Sequence, residues 1–439
     1  MKLCCFALAL LAGVLSSAGP VEAQISLTVE QARERALAFN RTFLSAQEEV
    51  VKAQGDIGIA RSGALPSISL NSSYTRNFEI ASAFFTVDGE TQELQMGFEN
   101  NFTAGVSVRQ PLWEGGKVFT AYSVAKQYKQ YAEAGAERVT SAVIYNNDLL
   151  FYSAIFAKAE LAVLADALKS HEHNVGMVEK SYAQGQVSRF EVLLAKVELA
   201  NLRPLILRAE SNERLAGKRL MSYLGLDLDQ PLELIEPQDD TSLVQSLSLS
   251  ELIAQAIEQR PDLRQAGLEV DMRGKAVRIA QAGYFPSLEA VSAYTWQGQS
   301  DEFTLEKNNT RSFTAGLSLS WSIFEGGLTR SEVGRSKAEL RQSELSRLDL
   351  IDRIRLDVEQ AYDRLLQAKQ SLNSQGETIA QAEEGLHIAN VRYEAGEGTL
   401  LELLSAQTAL SEARAVLAAA LFSFRDARSN LKMATNRDI

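Results

Sequence analysis

Four segments of the chain alternate apolar and polar residues with a period of two. Within 66–80, Ile68, Leu70, Tyr74, Phe78 and Ile80 share one face, against Ser67, Ser69, Asn71, Ser73, Thr75, Asn77 and Glu79. Within 102–113, Phe102, Ala104, Val106, Val108 and Leu112 oppose Thr103, Ser107 and Arg109. The pattern returns at 286–298 (Leu288, Ala290, Tyr294, Trp296) and at 312–324 (Phe313, Ala315, Leu317, Leu319, Trp321, Ile323). Period two predicts strands with one apolar and one polar face. Their length, roughly 10–14 residues, suits a tilted transmembrane β-strand. Trp113, Trp321, Tyr74, Tyr294 and Trp296 lie towards strand ends, as interfacial aromatics do.

A second pattern has the period of a coiled coil. Ile351, Ile354, Val358, Ala361, Leu365, Ala368, Leu372, Gln375, Ile379, Ala382, Leu386, Ala389 and Tyr393 step by three and four. Large residues alternate with alanine along much of it, a large-into-small seam. A looser counterpart runs through Val143, Leu150, Ala154, Ala157, Leu161, Leu164, Leu168, His171, Val175, Val178 and Tyr182. Roughly 65 residues without a proline follow Gly115-Gly116 and again Gly326-Gly327, enough for helices of ~100 Å. Return helices are expected at 189–222 and 400–431. Shorter helices are expected at 41–63 and 262–283, each stopped by Pro66 or Pro286. A return helix is about half as long as its partner, so the shorter helix should stack on its end. Thr28 with Gln31 has capping-box spacing, and Leu247-Ser248-Leu249-Ser250-Glu251 is read as doing the same in the second half.

The two halves are copies. Phe102-Thr103-Ala104-Gly105-Val106 returns as Phe313-Thr314-Ala315-Gly316-Leu317, an offset of 211 (313 − 102). Trp113-Glu114-Gly115-Gly116 returns at the same offset as Phe324-Glu325-Gly326-Gly327, and Tyr182-Ala183-Gln184-Gly185 as Tyr393-Glu394-Ala395-Gly396. A constant offset marks a duplicated unit. The expected division is a signal peptide at 1–23, a first repeat at 24–224, a linker at 225–247 and a second repeat at 248–439. Four strands cannot close a membrane barrel, and about eight leave no open lumen. The barrel must be shared, and three copies would supply twelve strands. The expected fold is therefore an α+β membrane protein. A trimeric twelve-stranded β-barrel, four strands per chain, continues into a long α-helical coiled-coil barrel.

Composition narrows the function. Lys2, an apolar stretch and Val21-Glu22-Ala23 read as a cleaved secretory signal. It carries both cysteines, Cys4 and Cys5, so the mature chain from Gln24 has no thiol chemistry. A net charge of −12 argues against nucleic acid as a partner. His171, His173 and His387 do not converge as metal ligands would, and no phosphate loop or nucleophile elbow occurs. No enzyme activity, cofactor or metal is expected. Gly115, Gly116, Gly326 and Gly327 read as strand-to-helix hinges at the membrane surface. Gly185 and Gly396 stand where each long helix reverses. Ser188 and Thr399, three residues before Glu191 and Glu402, have capping-box spacing. Those acids therefore serve as caps, as gate residues, or as both.

Taken together, the Leu-Pro-Ser strand entry, the aromatic-acidic-Gly-Gly strand exit and the Tyr-x-x-Gly-x-x-[Ser/Thr]-x-x-Glu-x-Leu tips resemble the TolC family of outer-membrane efflux ducts. The resemblance covers essentially the whole mature chain. It implies a homotrimer in outer-membrane lipid with a periplasmic helical tunnel. It also implies a periplasmic adaptor (membrane fusion protein) and an inner-membrane RND or ABC transporter that supplies the energy for efflux or type I secretion. By this resemblance Glu402 matches an acidic ring residue facing the pore. Glu191 and Tyr393 match a pair linking inner and outer hairpins, and Tyr182 joins them at the periplasmic gate. The tip turns at Gly185, Ser188, Gly396 and Thr399 would dock the adaptor. Two positions depart from the family pattern: Ser405 replaces a second acid, and Gly398 replaces a basic partner. The tip is thus latched less tightly or by other residues. A non-conducting periplasmic coiled-coil protein or adhesin is the rival reading, and alternating strands with aromatic ends speak against it. A diffusion porin would need many more strands per chain. Residues 81–101 are expected as the longer of two extracellular loops, since Ser67 to Phe102 spans 35 steps (102 − 67) and Ser287 to Phe313 spans 26 (313 − 287).

Overall fold

The computed structural model describes residues 25–87, 89–238, 248–304 and 309–437. The expected signal peptide lies outside them, as does the 239–247 part of the linker. The first half runs β1 (Ile25–Leu27), α1 (Val29–Phe39), α2 (Arg41–Ser62), β2 (Ser67–Arg76), β3 (Ser82–Val87), β4 (Glu90–Gln95), β5 (Asn100–Glu114), α3 (Lys117–Ala183) and α4 (Arg189–Tyr223). After β6 (Leu232–Leu234), the second half runs α5 (Leu249–Gln259), α6 (Pro261–Gln281), β7 (Ser287–Ser300), β8 (Asn309–Ser320), α7 (Leu328–Glu394) and α8 (Leu400–Thr435). Among the described residues, the element order of the first half recurs in the second, apart from β1 and the additional hairpin β3–β4.

α2, α3, α4, α6, α7 and α8 form one layer. α3 and α7 each have 67 residues, or ~100 Å at ~1.5 Å per residue. α4 and α2 together lie along α3, and α8 and α6 along α7. The stacking occurs at the chain ends. Asn40, which caps α2, donates from Nδ2 to the Tyr223 carbonyl at the end of α4 (3.4 Å). Asn436, just past α8, donates to the Gln259 carbonyl before α6 (3.3 Å). α3 also packs on α6 and α8, joining the halves. The side-by-side order is thus α2/α4, α3, α6/α8, α7.

Burial follows the heptad. Ile354, Val358 and Leu365 are fully buried, with Ala361 and Ala368, against Phe424, Ala427 and Leu431 of α8. Further along α7, Gln375, Ile379, Ala382, Leu386, Ala389 and Tyr393 stay half-buried while their neighbours are mostly exposed. The first half centres on Val143, Phe151 and Tyr152 of α3 packed with α1, β1 and α4. The join between halves is more polar. Asp148, fully buried, accepts from Arg33 Nε (2.7 Å) and Nη2 (2.6 Å) and from Ser429 Oγ (2.9 Å). The two parallel bonds from the guanidinium fork give this buried carboxylate the bidentate pairing that a buried charge requires.

The four long strands form one antiparallel sheet in the order β2-β5-β7-β8. Its polar face is hollow, lined by Ser67, Ser69, Asn71, Ser107, Arg109 and Thr314. The opposite face carries Ile68, Leu70, Tyr74, Leu317 and Leu319, all exposed. This is the faced alternation that the sequence predicts.

Four details differ from expectation. β2 ends at Arg76, so Phe78 and Ile80 lie beyond the strand. β8 ends at Ser320, because Trp321 Nε1 turns to donate to the Tyr284 carbonyl (3.2 Å). The span 81–101, expected as a loop, holds the hairpin β3–β4, which closes around Gly89 at φ 84°. Asp88-Gly89 is the sequence signal for it, since such a turn needs positive φ. Finally, Thr28 and Gln31 cap each other, but Ser248 makes no side-chain cap. Its hydroxyl lies 3.0 Å from that of Ser250 instead.

Candidate functional site

The far ends of the hairpins carry the expected tip residues. Gly185 (φ 72°) and Gly396 (φ 73°) are left-handed, which lets the chain fold back within a few residues. Gln186 N donates to the Ser181 carbonyl (2.9 Å), and both Glu397 N and Gly398 N to the Arg392 carbonyl (2.9 Å each). These bonds satisfy the last carbonyls of α3 and α7. Both return helices begin with complete capping boxes. Ser188 Oγ accepts from Glu191 N (3.4 Å) and Glu191 Oε1 from Ser188 N (3.4 Å). Thr399 Oγ1 accepts from Glu402 N (3.3 Å) and Glu402 Oε2 from Thr399 N (3.4 Å).

The tips are brought together by packing. Val178, Ala195, Leu400 and Leu404 form a small core with Tyr393 against it. A cleft between the tips is lined by Phe190, Glu191, Tyr393, Gly396, Gly398 and Thr399. Burial, reinforced by the Glu191 carboxylate, pushes the Tyr393 phenol above its ordinary pKa, so it is a neutral donor in the physiological range. Tyr182, Gly185, Ser188 and Glu402 do not line this cleft. Tyr182 and Glu402 are exposed.

Sequence reasoning missed Arg392. Its Nη1 lies 3.6 Å from Glu402 Oε2, and its Nη2 donates to the Glu397 carbonyl (3.3 Å). A Cβ on Gly398 would meet the backbone of Arg392 and Tyr393 at 3.1–3.2 Å. The glycine therefore allows a close turn, and Arg392 supplies a basic group beside the acid. Position 392 lies outside the apolar heptad, so periodicity carried no signal for it.

A buried polar layer sits higher in the hairpins. Asn174 Nδ2 donates to Gln407 Oε1 (2.6 Å) across α3 and α8. One turn above, His171 is buried with Nδ1 unpaired, and burial lowers its pKa while Glu198 on α4 raises it. His173 and His387 are exposed. Among the described residues no group of His, Cys, Asp or Glu is arranged to hold a metal.

At the sheet end of the long helices, Gly115, Gly116, Gly326 and Gly327 all have positive φ, between 60° and 87°. Gly115-Gly116 turns β5 directly into α3, while Gly326-Gly327 precedes α7 at the end of the short connection from β8. Glu325 Oε2 accepts from Thr329 Oγ1 (3.0 Å) in the first turn of α7.

The family model described as "Outer membrane efflux protein" matches residues 32–226 and 252–437. Nodulation protein T of Rhizobium leguminosarum bv. trifolii is 23% identical over 398 residues, covering 88% of this chain and 81% of that protein. Outer membrane protein TolC of Salmonella enteritidis is 22% identical over 429 residues, covering 93% and 82%. The crystal structure of the outer membrane protein VceC from Vibrio cholerae superposes with a TM-score of 0.76 at 18% identity, covering 93% of this chain and 95% of that one. Two matched halves, a four-stranded faced sheet and the paired long helices agree: the chain belongs to the outer membrane efflux protein family and is an outer-membrane efflux channel with a periplasmic helical domain.

Proposed function

We propose that three copies of this duplicated chain close into a homotrimer with a twelve-stranded barrel, and that the trimer is the passive exit duct of a tripartite export system. One observation carries the assembly. The sheet ends in two unpaired edges, β2 and β8, and the helical layer ends in the matching order, with α2/α4 on the β2 side and α7 on the β8 side. An open edge of this length is an aggregation hazard unless covered. A head-to-tail contact between β2 of one copy and β8 of the next covers both edges, and such contacts close into rings. A periplasmic adaptor and an inner-membrane RND or ABC transporter would complete the path and provide the energy.

The gate lies at the hairpin tips, with Glu402, Glu191, Tyr393 and Tyr182 as its residues. Gly185, Ser188, Gly396 and Thr399 shape the turns that meet the adaptor, and Gly115, Gly116, Gly326 and Gly327 act as hinges at the membrane end. The supporting geometry is the cleft shared by Glu191 and Tyr393 and the Arg392–Glu402 pair. The division into signal peptide (1–23), repeats (24–224 and 248–439) and linker (225–247) belongs to the same reading. Native mass measurement in detergent, followed by conductance in planar bilayers, tests it. The expected result is a threefold mass and a channel that is mostly closed until the tips are perturbed. A monomeric channel overturns the assembly.

A further inference from the structure

The lipid-facing side of the sheet is not uniformly apolar. On β2 the outward register Ile68, Leu70, Tyr74 continues to Arg76, the last residue of the strand. On β8 the outward register Phe313, Ala315, Leu317, Leu319 begins with Arg311. Both arginines stand at the end of the sheet away from the helices, which is the extracellular end of an outer-membrane barrel with a periplasmic helical domain. Aromatic residues share this end of the sheet. Arg311 is paired across the ladder with Trp296, and Tyr74 with Phe102. Phe303, from the β7–β8 connection, folds back to within 5.4 Å of both Tyr74 and Phe102. This end of the sheet thus combines clustered aromatic rings with two outward arginines.

The charges on these two side chains differ in how they are met. Arg76 lies 3.2 Å from Glu99 and over the Phe78 ring at 5.6 Å. Arg311 is exposed and has no ion-pair partner among the described residues. A guanidinium exposed on an outward register faces lipid, and the anion available there is a lipid headgroup. Guanidinium binds phosphate through two parallel hydrogen bonds, which an ammonium cannot do. β2 and β8 are the two edge strands. In the head-to-tail ring, on which this inference rests, Arg311 of one copy therefore comes to the same seam as Arg76 of the next.

We propose that each seam binds the phosphate of a phosphorylated outer-leaflet glycolipid, with Arg311 as the principal contact, Arg76 of the adjoining copy as the second, and the Tyr74–Phe102–Phe303 and Trp296 rings against the acyl-sugar boundary. Arg76 exchanges part of its contact with Glu99 for the phosphate.

The test is native mass spectrometry of the detergent-purified full chain with diphosphoryl lipid A, with phosphatidylethanolamine as a comparator and inorganic phosphate as a competitor. The expected result is retention of up to one lipid A per seam, weak retention of phosphatidylethanolamine, and little displacement by phosphate. Arg311→Gln should weaken lipid A retention by at least about tenfold, as expected for hydrogen bonds to a charged group. Arg311→Lys should restore only part of it. Arg109→Gln, on the hollow face, should change nothing. Equal retention of the two lipids, full displacement by inorganic phosphate, or an unchanged Arg311→Gln trimer would each overturn the site and leave the trimer standing. A wild-type chain that registers as a monomer overturns the assembly and the shared seam with it.

Discussion

At the scale of single residues, the tip acids do two jobs through the same atoms. Glu402 caps α8 and also meets Arg392. Glu402→Ala should cost about 1 kcal/mol from the lost cap. If three copies of Glu402 ring the pore, the same substitution should also reduce cation selectivity and block by multivalent cations. Stability loss with unchanged selectivity and block would leave Glu402 as a cap only. Arg392→Ala should act in the opposite sense on selectivity, because the acid loses its counter-charge, and should raise the leak. Single-channel recording of both variants separates the roles. His171 offers a second residue-level test. Its folded pKa is depressed by burial, so its contribution is fully present above the ordinary value of 6.5 and is lost as pH falls through the folded value. Denaturation midpoints of the wild type should fall between pH 7 and about pH 5. His171→Leu should flatten that dependence, since it removes both the titration and the unpaired Nδ1. An equal slope in the variant would show that other groups set it.

At the scale of elements, the two strand-to-helix turns look alike in sequence but not in space. Gly115 (φ 61°) and Gly326 (φ 60°) share the same positive φ. A Cβ at 115 would sit 2.8 Å from the Ala282 carbonyl oxygen, whereas a Cβ at 326 would meet nothing within 4 Å. Gly326→Ala should therefore cost only the left-handed penalty, ~1–2 kcal/mol. Gly115→Ala adds a backbone clash and should cost clearly more. Thermal unfolding of the two variants side by side checks the order, and equal losses would mean that the hinge shifts to make room. The capping boxes show the reverse relation. Thr28, Ser188 and Thr399 all cap as their spacing predicts, because N-cap and N3 lie within one turn. Ser248 is the exception, its hydroxyl engaged locally with Ser250.

At the scale of the whole molecule, the hairpin β3–β4 is the largest departure from symmetry between the halves. It leaves the sheet at the end opposite the helices, so in an outer-membrane channel it stands outside the cell. An epitope inserted next to Gly89 should be labelled on intact cells while the trimer still assembles. Labelling that appears only after the outer membrane is opened would invert the topology.

The sequence by itself determined the elements and their faces. Alternation at Ile68–Tyr74 and the heptad from Ile351 to Tyr393 are local, and backbone geometry converts each period directly into a face. The constant offset between halves made the second copy legible from the first, and the family motifs identified the tips. What only the tertiary structure decided are the meetings between residues far apart in the chain. Arg33 with Asp148 and Asn174 with Gln407 look in sequence like any charged or amide residue on a helix. A charge has no periodic signature that separates a solvated position from a paired one. The same holds for Gly115, whose tight neighbour Ala282 lies in the other half of the chain. It holds also for the order of helices in the layer, which depends on packing across the two halves and not on either half alone.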